Sequence, residues 1–374
     1  MQRVSVILPT YNRASTLARA VKSVLAQTWR DFELIVVDDG STDGSADGLE
    51  TLDPRVSVLR RKNGGVAAAR NSGLLQASGD LVAFIDSDDE WRPWFLALAC
   101  AFFEAFPGED LFSTEILVRL PGGEETIFPR AEVSWWYPRL AARVGSRLLD
   151  LPAGELDPYM RLFAKKVSAG WAKGIDGAGE GGAVSHYRGA VYSHMRWGYL
   201  TGLQAMVMTR RASVTAGEFD VRLRTAEDFA YIARLLRVFP LNHVSVQGCV
   251  KHEESSEDHL AGGSHAAEFR ENLYGQFAHV LETVATGERE RNLLLGFKAF
   301  DVGIAALEGG DRPMALRYFD LACSSIGKFR RGEILRFVLR GVRSPRLTLG
   351  LYQSIIHAER RWRYPRVSGL SGRK

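Results

Sequence analysis

The chain has 374 residues, 46% hydrophobic and 25% charged, enough to bury a large core and to exclude a disordered or fibrous class. Its net charge of +4 is unevenly held, with 13 Lys and Arg against two acids over residues 326–374, so basic binding belongs to the tail and not to the whole chain. No apolar run reaches the roughly 18 residues of a membrane span, no leader precedes the first expected strand, and Cys100, Cys249 and Cys323 are too scattered for a disulfide framework or a metal motif; a cytoplasmic protein is expected.

The β-branched run Val4 to Leu8 predicts a first strand, stopped at Pro9 and followed by Thr10-Tyr11-Asn12-Arg13. Leu17, Val21, Val24 and Leu25 then share one helical face. Phe32 to Val37 predicts a second strand that ends in Asp38-Asp39-Gly40-Ser41-Thr42-Asp43, and Val56 to Leu59 a third. Asn63-Gly64-Gly65 opens an Ala-rich helix that runs out near Ala77-Ser78-Gly79. Leu81 to Ile85 is a further strand, and it breaks into Asp86, Asp88, Asp89 and Glu90 within five positions. Strands alternating with helices at this spacing predict a Rossmann-like α/β fold, a mostly parallel sheet with helices on both faces and ligands beyond the carboxyl ends of its strands. Three of those ends are polar clusters, which points to one site on one rim.

The acidic cluster is the sharpest of the three. Two carboxylates about 4 Å apart repel by roughly 4 kcal/mol at an effective dielectric of about 20, so a divalent cation held by oxygen ligands is one reading. A solvated acidic loop, with Asp89 or Glu90 opening the next helix, is the other. No Gly-x-Gly-x-x-Gly follows the first strand and no Gly-Lys-Ser or Gly-Lys-Thr loop is present, which disfavours dinucleotide oxidoreductases and nucleoside triphosphatases.

Val4-Ser5-Val6-Ile7-Leu8-Pro9-Thr10-Tyr11-Asn12-Arg13, Val36-Val37-Asp38-Asp39-Gly40-Ser41-Thr42-Asp43, Ala69-Arg70-Asn71-Ser72-Gly73 and Phe84-Ile85-Asp86-Ser87-Asp88-Asp89 together resemble a family 2 glycosyltransferase of the GT-A fold, in order and spacing, over roughly residues 1–100. The resemblance implies an inverting transferase that uses a nucleotide-activated sugar, most often a UDP-sugar, with Mn2+ or Mg2+. It implies that Thr10 and Tyr11 line the base and ribose pocket, that Asp39 bonds the nucleobase, that Arg70 approaches the diphosphate and that Asp86 and Asp88 form the Asp-x-Asp motif. Pro9, Asn12, Asp38 and Ser87 complete the implied donor site. Residue by residue, plainer roles stay open: Tyr11 covering a sheet edge, Arg70 a solvated helix charge, Asp38 and Asp39 turn formers before Gly40.

From Phe112 to Trp197 the pattern loosens into an acceptor-side insertion within a transferase domain spanning residues 1–260. Glu115 to Arg119 and Glu125 to Phe128 predict a hairpin around Pro121-Gly122-Gly123. Seven glycines between Gly170 and Gly189 predict a mobile loop, with His186, His194, Arg196 and Trp197 as acceptor contacts, His194 and Trp197 foremost. Leu203 to Met208 predicts another strand. Beyond Gly217-Glu218-Phe219-Asp220, the run Thr225-Ala226-Glu227-Asp228 opens an amphipathic helix, and Thr225 with Asp228 fits a capping box. The resemblance implies instead that this acidic pair supplies the catalytic base, Asp228 with Glu227 as the alternative, although a helix N-terminus stabilises a carboxylate and weakens it as a base. The segment from Val250 to Ser256 resembles the family's closing loop, which implies His252 as a third metal or diphosphate contact.

Residues 268–374 read as a helical, basic C-terminal appendage. Phe269, Leu273, Phe277, Val280 and Leu281 keep helical spacing, as does Leu293 to Leu307, and Gly310-Asp311 with Ala315, Leu316 and Phe319 resembles half of a tetratricopeptide unit. Leu335 to Leu339 and Leu347 to Ile356 interleave apolar residues with Arg336, Arg340, Arg343 and Arg346, the pattern of an interfacial helix on anionic lipid or of a basic solvated helix. The expected partners are a nucleotide-sugar donor, a saccharide or lipid-linked acceptor and an anionic membrane surface, with no nucleic acid. The alternative is a GT-A scaffold that keeps the pocket without the chemistry.

Overall fold

The computed structural model describes residues 2–120, 122–130, 157–173, 175, 184–196, 198–253, 266–284 and 287–326. Trp197, most of the glycine-rich stretch (174 and 176–183) and the basic tail from 327 onward lie outside the described residues. The chain divides into two compact units, residues 1–255 with 279–285, and residues 256–278 with 286–374.

The first unit is built on one sheet, ordered β3(Val56–Arg60)-β2(Phe32–Asp38)-β1(Val4–Thr10)-β4(Leu81–Phe84)-β10(Met206–Thr209)-β6(Leu111–Arg119)-β11(Leu241–His252)-β9(His186–Gly189)-β8(Lys165–Val167). Off this path β5(Glu90–Trp91) pairs with β11 and β7(Glu125–Phe128) with β6, so the hairpin expected around residues 121–123 is present. The four N-terminal strands are mutually parallel. β10 then enters antiparallel between β4 and β6, β6 and β11 are parallel to each other, and β9 turns back against β11. The sheet is mixed, with most strands running one way.

Alternation along the strands divides the core between two faces. Val4, Val6, Leu8, Leu34, Val36, Leu81 and Ala83 cluster with Leu17, Val21 and Val24 of α1(Leu17–Leu25) and Phe95, Leu98 and Phe102 of α3(Phe95–Ala105). On the other face Phe84 meets Phe219 and Tyr231 edge-on, at ring-centroid distances of 5.4 and 6.2 Å. α2(Val66–Gln76) lies on that second face too. A Cβ at its Gly73 would stand 2.4 Å from Ile7 Cγ2, so only glycine lets the helix sit this low on β1.

Three local expectations are corrected. Asp89 and Glu90 do not open a helix: Glu90 and Trp91 form the short strand β5, and α3 starts only at Phe95. The strand expected over 203–208 begins at Met206, after a 3-10 turn at Leu203–Ala205. The described ends of the stretch expected as a mobile loop over 170–189 are regular, a 3-10 turn at Gly170–Ala172 and strand β9.

α4(Arg210–Ala216) follows β10, capped by the Thr209 side chain accepting from Ala212 N, and α5(Glu227–Val238) follows the 217–226 loop. Further on come α6(Ala266–Thr283), whose residues up to 278 belong to the second unit, and then α7(Glu288–Glu308) and α8(Arg312–Ile326) of that unit. These last two form the helical hairpin expected around Gly310-Asp311. Phe319 fills the space that a side chain at Gly303 would occupy, and a small core of Ala299, Val302, Ala306, Ala315 and Phe319 results.

Candidate active site

Strand register gathers the three polar ends. Thr10 stands opposite Asp38 across β1 and β2, and β4 pairs with the other edge of β1 through Ile7 and Phe84. Ile85 N continues that ladder to Ile7 O at 3.1 Å, so Asp86 emerges on the same rim as Thr10 and Asp38.

The first two ends brace each other. Asp39 N donates to Thr10 O at 2.9 Å, and Asn12 N donates to Ser41 Oγ at 3.0 Å. Asn12 sits in the left-handed region at φ 49°, and its Oδ1 accepts from Thr42 N at 2.8 Å. Asp38 Oδ1 accepts from Ser41 N at 2.8 Å, which turns the chain away from β2. Asp39 is buried and accepts from Gly64 N and Gly65 N at 3.0 and 2.7 Å through Oδ2, with Arg61 Nη1 at 3.0 Å from Oδ1. Thus Asn12, Asp38 and Asp39 hold the loops of the rim together. Pro9 and Thr10 are buried, whereas Tyr11 is exposed beside them.

Arg70, on α2, is the junction of the site. Its guanidinium donates to Asp86 Oδ1 at 2.7 Å and to Glu227 Oε1 at 2.5 Å, with side-chain exposure of only 5%. Burial works to lower its pKa, but Asp86, Glu227 and Asp228 together raise it above the usual arginine value. The neighbouring Asn71 bonds both Phe219 N and Phe219 O, at 2.7 and 2.9 Å, and so pins the 217–226 loop to α2. The Arg70 guanidinium lies 5.5 Å over the Phe219 ring, which stacks on Tyr231 at 4.0 Å. Two buried polar atoms here, Thr10 Oγ1 and Arg70 Nε, lack a hydrogen-bond partner among the described residues. Unmatched buried donors and acceptors at one rim point to a polar ligand.

The acidic pair begins α5. The capping box read with Thr225 at the cap is not formed: the cap position is Ala226, at φ 59°, whose side chain makes no capping bond. Tertiary contacts take its place. Burial pushes Glu227 up to about 7, against the pull of Arg70 and with help from Asp228. Asp228 Oδ1 accepts from Tyr199 Oη at 2.9 Å and from Phe229 N at 2.7 Å. Its carboxyl is raised above the ordinary value, mainly by burial; Arg70 and the Tyr199 hydrogen bond oppose this and Asp86 adds to it.

Residues 5–169 match the family model described as glycosyl transferase family 2. The chain carries a family 2 glycosyltransferase domain. An uncharacterized glycosyltransferase of Nostoc sp. is 44% identical over 153 residues, 40% of this chain and 46% of that protein. The succinoglycan biosynthesis protein ExoW of Rhizobium meliloti is 44% identical over 100 residues, 25% of this chain and 31% of ExoW. The chain therefore spans less than half the length of these curated relatives. Among solved structures, S. aureus TarS 1–349 in complex with UDP-GlcNAc superposes with a TM-score of 0.55 at 17% identity, over 99% of this chain and 95% of that one, a likeness of fold. The fold is GT-A with a C-terminal helical appendage.

Within the family 2 domain the acidic end of β4 divides. Asp86 keeps 37% of its side chain exposed while Arg70 engages only Oδ1, and Ser87 is buried. Asp88 is half-buried, and its carbonyl accepts from Arg19 at 2.7 Å. Asp89 is 1% exposed and is raised well above the carboxylate range by burial, then by Asp88 and Asp86, with Lys251 opposing. His252 ends β11, its Nε2 3.4 Å from Glu90 Oε1, and burial lowers its pKa. Among the described residues no three His, Cys, Asp or Glu side chains form a ready metal cluster. Asp86 and Asp88 carry hard carboxylate oxygens, the ligand type that Mg2+ or Mn2+ takes alongside phosphate and water oxygens.

The acceptor candidates separate as well. His194 lies in the 3-10 turn Tyr192–Arg196, which packs against α5, and burial with Arg196 brings its pKa down to about 4. His186 opens β9 and is buried there, its Nε2 3.0 Å from Asn242 Oδ1. Trp197 lies outside the described residues. Tyr199 and Arg61 carried no signal in the sequence; Asn71 stood inside the Ala69–Gly73 motif but had no role assigned.

Proposed function

We propose that this domain transfers a sugar from a nucleotide diphosphate donor, a UDP-sugar, to a hydroxyl of a saccharide or lipid-linked acceptor with inversion, in polysaccharide or glycolipid synthesis. The observation that carries the reading is the Arg70 junction, which joins the end of β4 to the acidic start of α5 through Asp86 and Glu227. Exposed Tyr11 offers a ring face for the base, buried Thr10 a hydroxyl, and Arg70 a cation for the diphosphate. ExoW is named for succinoglycan biosynthesis and the TarS structure holds UDP-GlcNAc, which favours a surface polysaccharide and a uridine donor.

In the proposed step the acceptor oxygen forms a bond to the anomeric carbon from the face opposite the diphosphate. The carbon–oxygen bond to the diphosphate breaks and its electron pair leaves with the nucleotide. The acceptor proton passes to Asp228. Glu227 is the less available of the two, since Arg70 already holds its carboxylate. Burial raises Asp228 and offsets the weakening expected at a helix N-terminus. Asp86 and Asp88 would hold Mn2+ or Mg2+, whose chemistry is to neutralise the leaving diphosphate. The positive tail, residues 326–374, is proposed to rest on an anionic membrane surface, which vesicle flotation of the full chain on anionic against neutral lipid tests. No helix among the described residues is long and apolar enough to cross a membrane.

The deciding experiment is nucleotide release from UDP-, GDP- and dTDP-sugars, with and without Mn2+, by wild type and Asp228→Asn. Metal-dependent release from one donor class, lost in Asp228→Asn with donor binding kept, is the expected result. Failure of every donor, with or without metal, would sink the enzymatic reading in favour of a silent nucleotide-sugar-binding scaffold.

A further inference from the structure

We propose that Tyr199 is a positioning residue of the transfer step, its phenol holding the Asp228 carboxylate by Oδ1 and leaving Oδ2 for the acceptor proton. Tyr199 lies outside residues 5–169, the stretch that matches the family model. The proposal rests on Asp228 being the base.

Three contacts carry it. Tyr199 Oη donates to Asp228 Oδ1 at 2.9 Å. Phe229 N donates to the same oxygen at 2.7 Å. The Tyr199 ring meets the Phe229 ring edge-on at 4.9 Å and 74°, and Phe229 is fully buried. An aspartate rotates broadly about its last torsion, so a lone carboxylate does not present one oxygen reproducibly. Two donors on Oδ1 remove that freedom, and the Phe229 ring fixes the phenol that supplies one of them.

The phenol is suited to donate and not to exchange its proton. Burial, then Asp228 and Glu227, push Tyr199 well above 10, so it keeps its hydrogen across the working range. A donor that stays protonated favours the ionised carboxylate, the form a base needs before it accepts a proton. A placeholder role, with the phenol standing where the acceptor hydroxyl must enter, makes the opposite kinetic forecast.

The test is Tyr199→Phe, which keeps the ring against Phe229 and removes only the hydroxyl. It is assayed beside wild type and Asp228→Asn as pH profiles of nucleotide release, using the donor that wild type turns over. Positioning predicts a kcat 10–100-fold lower, the size typical of an outer-shell partner, with donor KM within twofold and the acid limb displaced to higher pH. A purely structural role would lower thermal stability without moving that limb. Unchanged kcat and acid limb in Tyr199→Phe, or faster turnover as a placeholder predicts, overturn the proposal while a dead Asp228→Asn preserves the base assignment. An Asp228→Asn that turns over like wild type, or a wild type inert toward every donor, removes the underlying reading and the proposal with it.

Discussion

Arg70 and Glu227 lie 157 positions apart in the chain and meet at 2.5 Å with both side chains almost wholly buried. The pair spans the two halves of the site, because Arg70 also holds Asp86 at the end of β4. Breaking a buried pair strands its partner as an unpaired charge, at a cost of about 3–5 kcal/mol. Arg70→Met should lose stability on that scale in urea denaturation. The double variant Arg70→Met/Glu227→Met should recover part of the loss, because it leaves one stranded carboxylate fewer. A double variant no better than the single one would assign the loss to packing over Phe219.

Gly73 governs how low α2 sits, and hence where Arg70 and Asn71 stand one turn earlier. Alanine at Gly73 would place its methyl 2.4 Å from Ile7 Cγ2 and 3.3 Å from Val37 Cγ2. Both neighbours are stiff β-branched residues of central strands. Overpacking costs about 1–3 kcal/mol, against a gain of about 1 kcal/mol in helix propensity. Gly73→Ala is expected to lower the melting temperature and to weaken nucleotide binding by calorimetry. A more stable variant with unchanged binding would show that α2 rides up without disturbing the site.

Asn12 separates a donor contact from a loop brace. Its φ of 49° is strained for most side chains, and its side chain and backbone clasp Thr42 and Ser41. Asn12→Gly keeps the backbone conformation and the bond to Ser41 but loses the side-chain clasp on Thr42, whereas Asn12→Ala loses the same clasp and adds about 1–2 kcal/mol of left-handed strain. Stability without nucleotide should therefore fall in the order wild type, glycine, alanine. If both variants keep full stability and lose only donor affinity, Asn12 is a nucleotide contact first.

The parallel half of the fold was legible because strands β1, β2 and β4 are continuous apolar runs, each stopped by polar residues, and register puts those stops on one rim. Arg70 was legible as a motif position, but its partner Glu227 was not, because nothing local links residues that far apart. The capping box at Thr225 misled for a related reason: local spacing suggested a side-chain cap, while Arg70 and Tyr199 hold the acidic pair from outside the helix. β10 was visible as a strand, yet its antiparallel insertion between β4 and β6 depends on the path through residues 112–205, where the apolar pattern loosens. Tyr199 carried no signal for that reason too.

His243 makes the domain's acid stability predictable. The ring is fully buried on β11, 3.0 Å from Ser113 Oγ, stacked on Phe163 at 5.8 Å and tilted against Tyr159 at 4.7 Å. Burial, with Arg130 and His186 nearby, brings its pKa from 6.5 down to about 3. The unfolded chain takes up this proton near 6.5 and the folded chain does not, so stability is fully present above that value. It falls as pH drops from about 6.5 toward 3, by about 1.4 kcal/mol per pH unit for one proton. Glu227, raised to about 7, acts in the opposite sense, adding stability below its unfolded value and losing it as pH rises through 7. His243→Gln, which keeps an amide beside Ser113, should be less stable at pH 8 and should show a shallower acid slope in denaturation curves between pH 6.5 and 4. An acid slope identical to wild type would mean that His243 takes up its proton inside the folded domain.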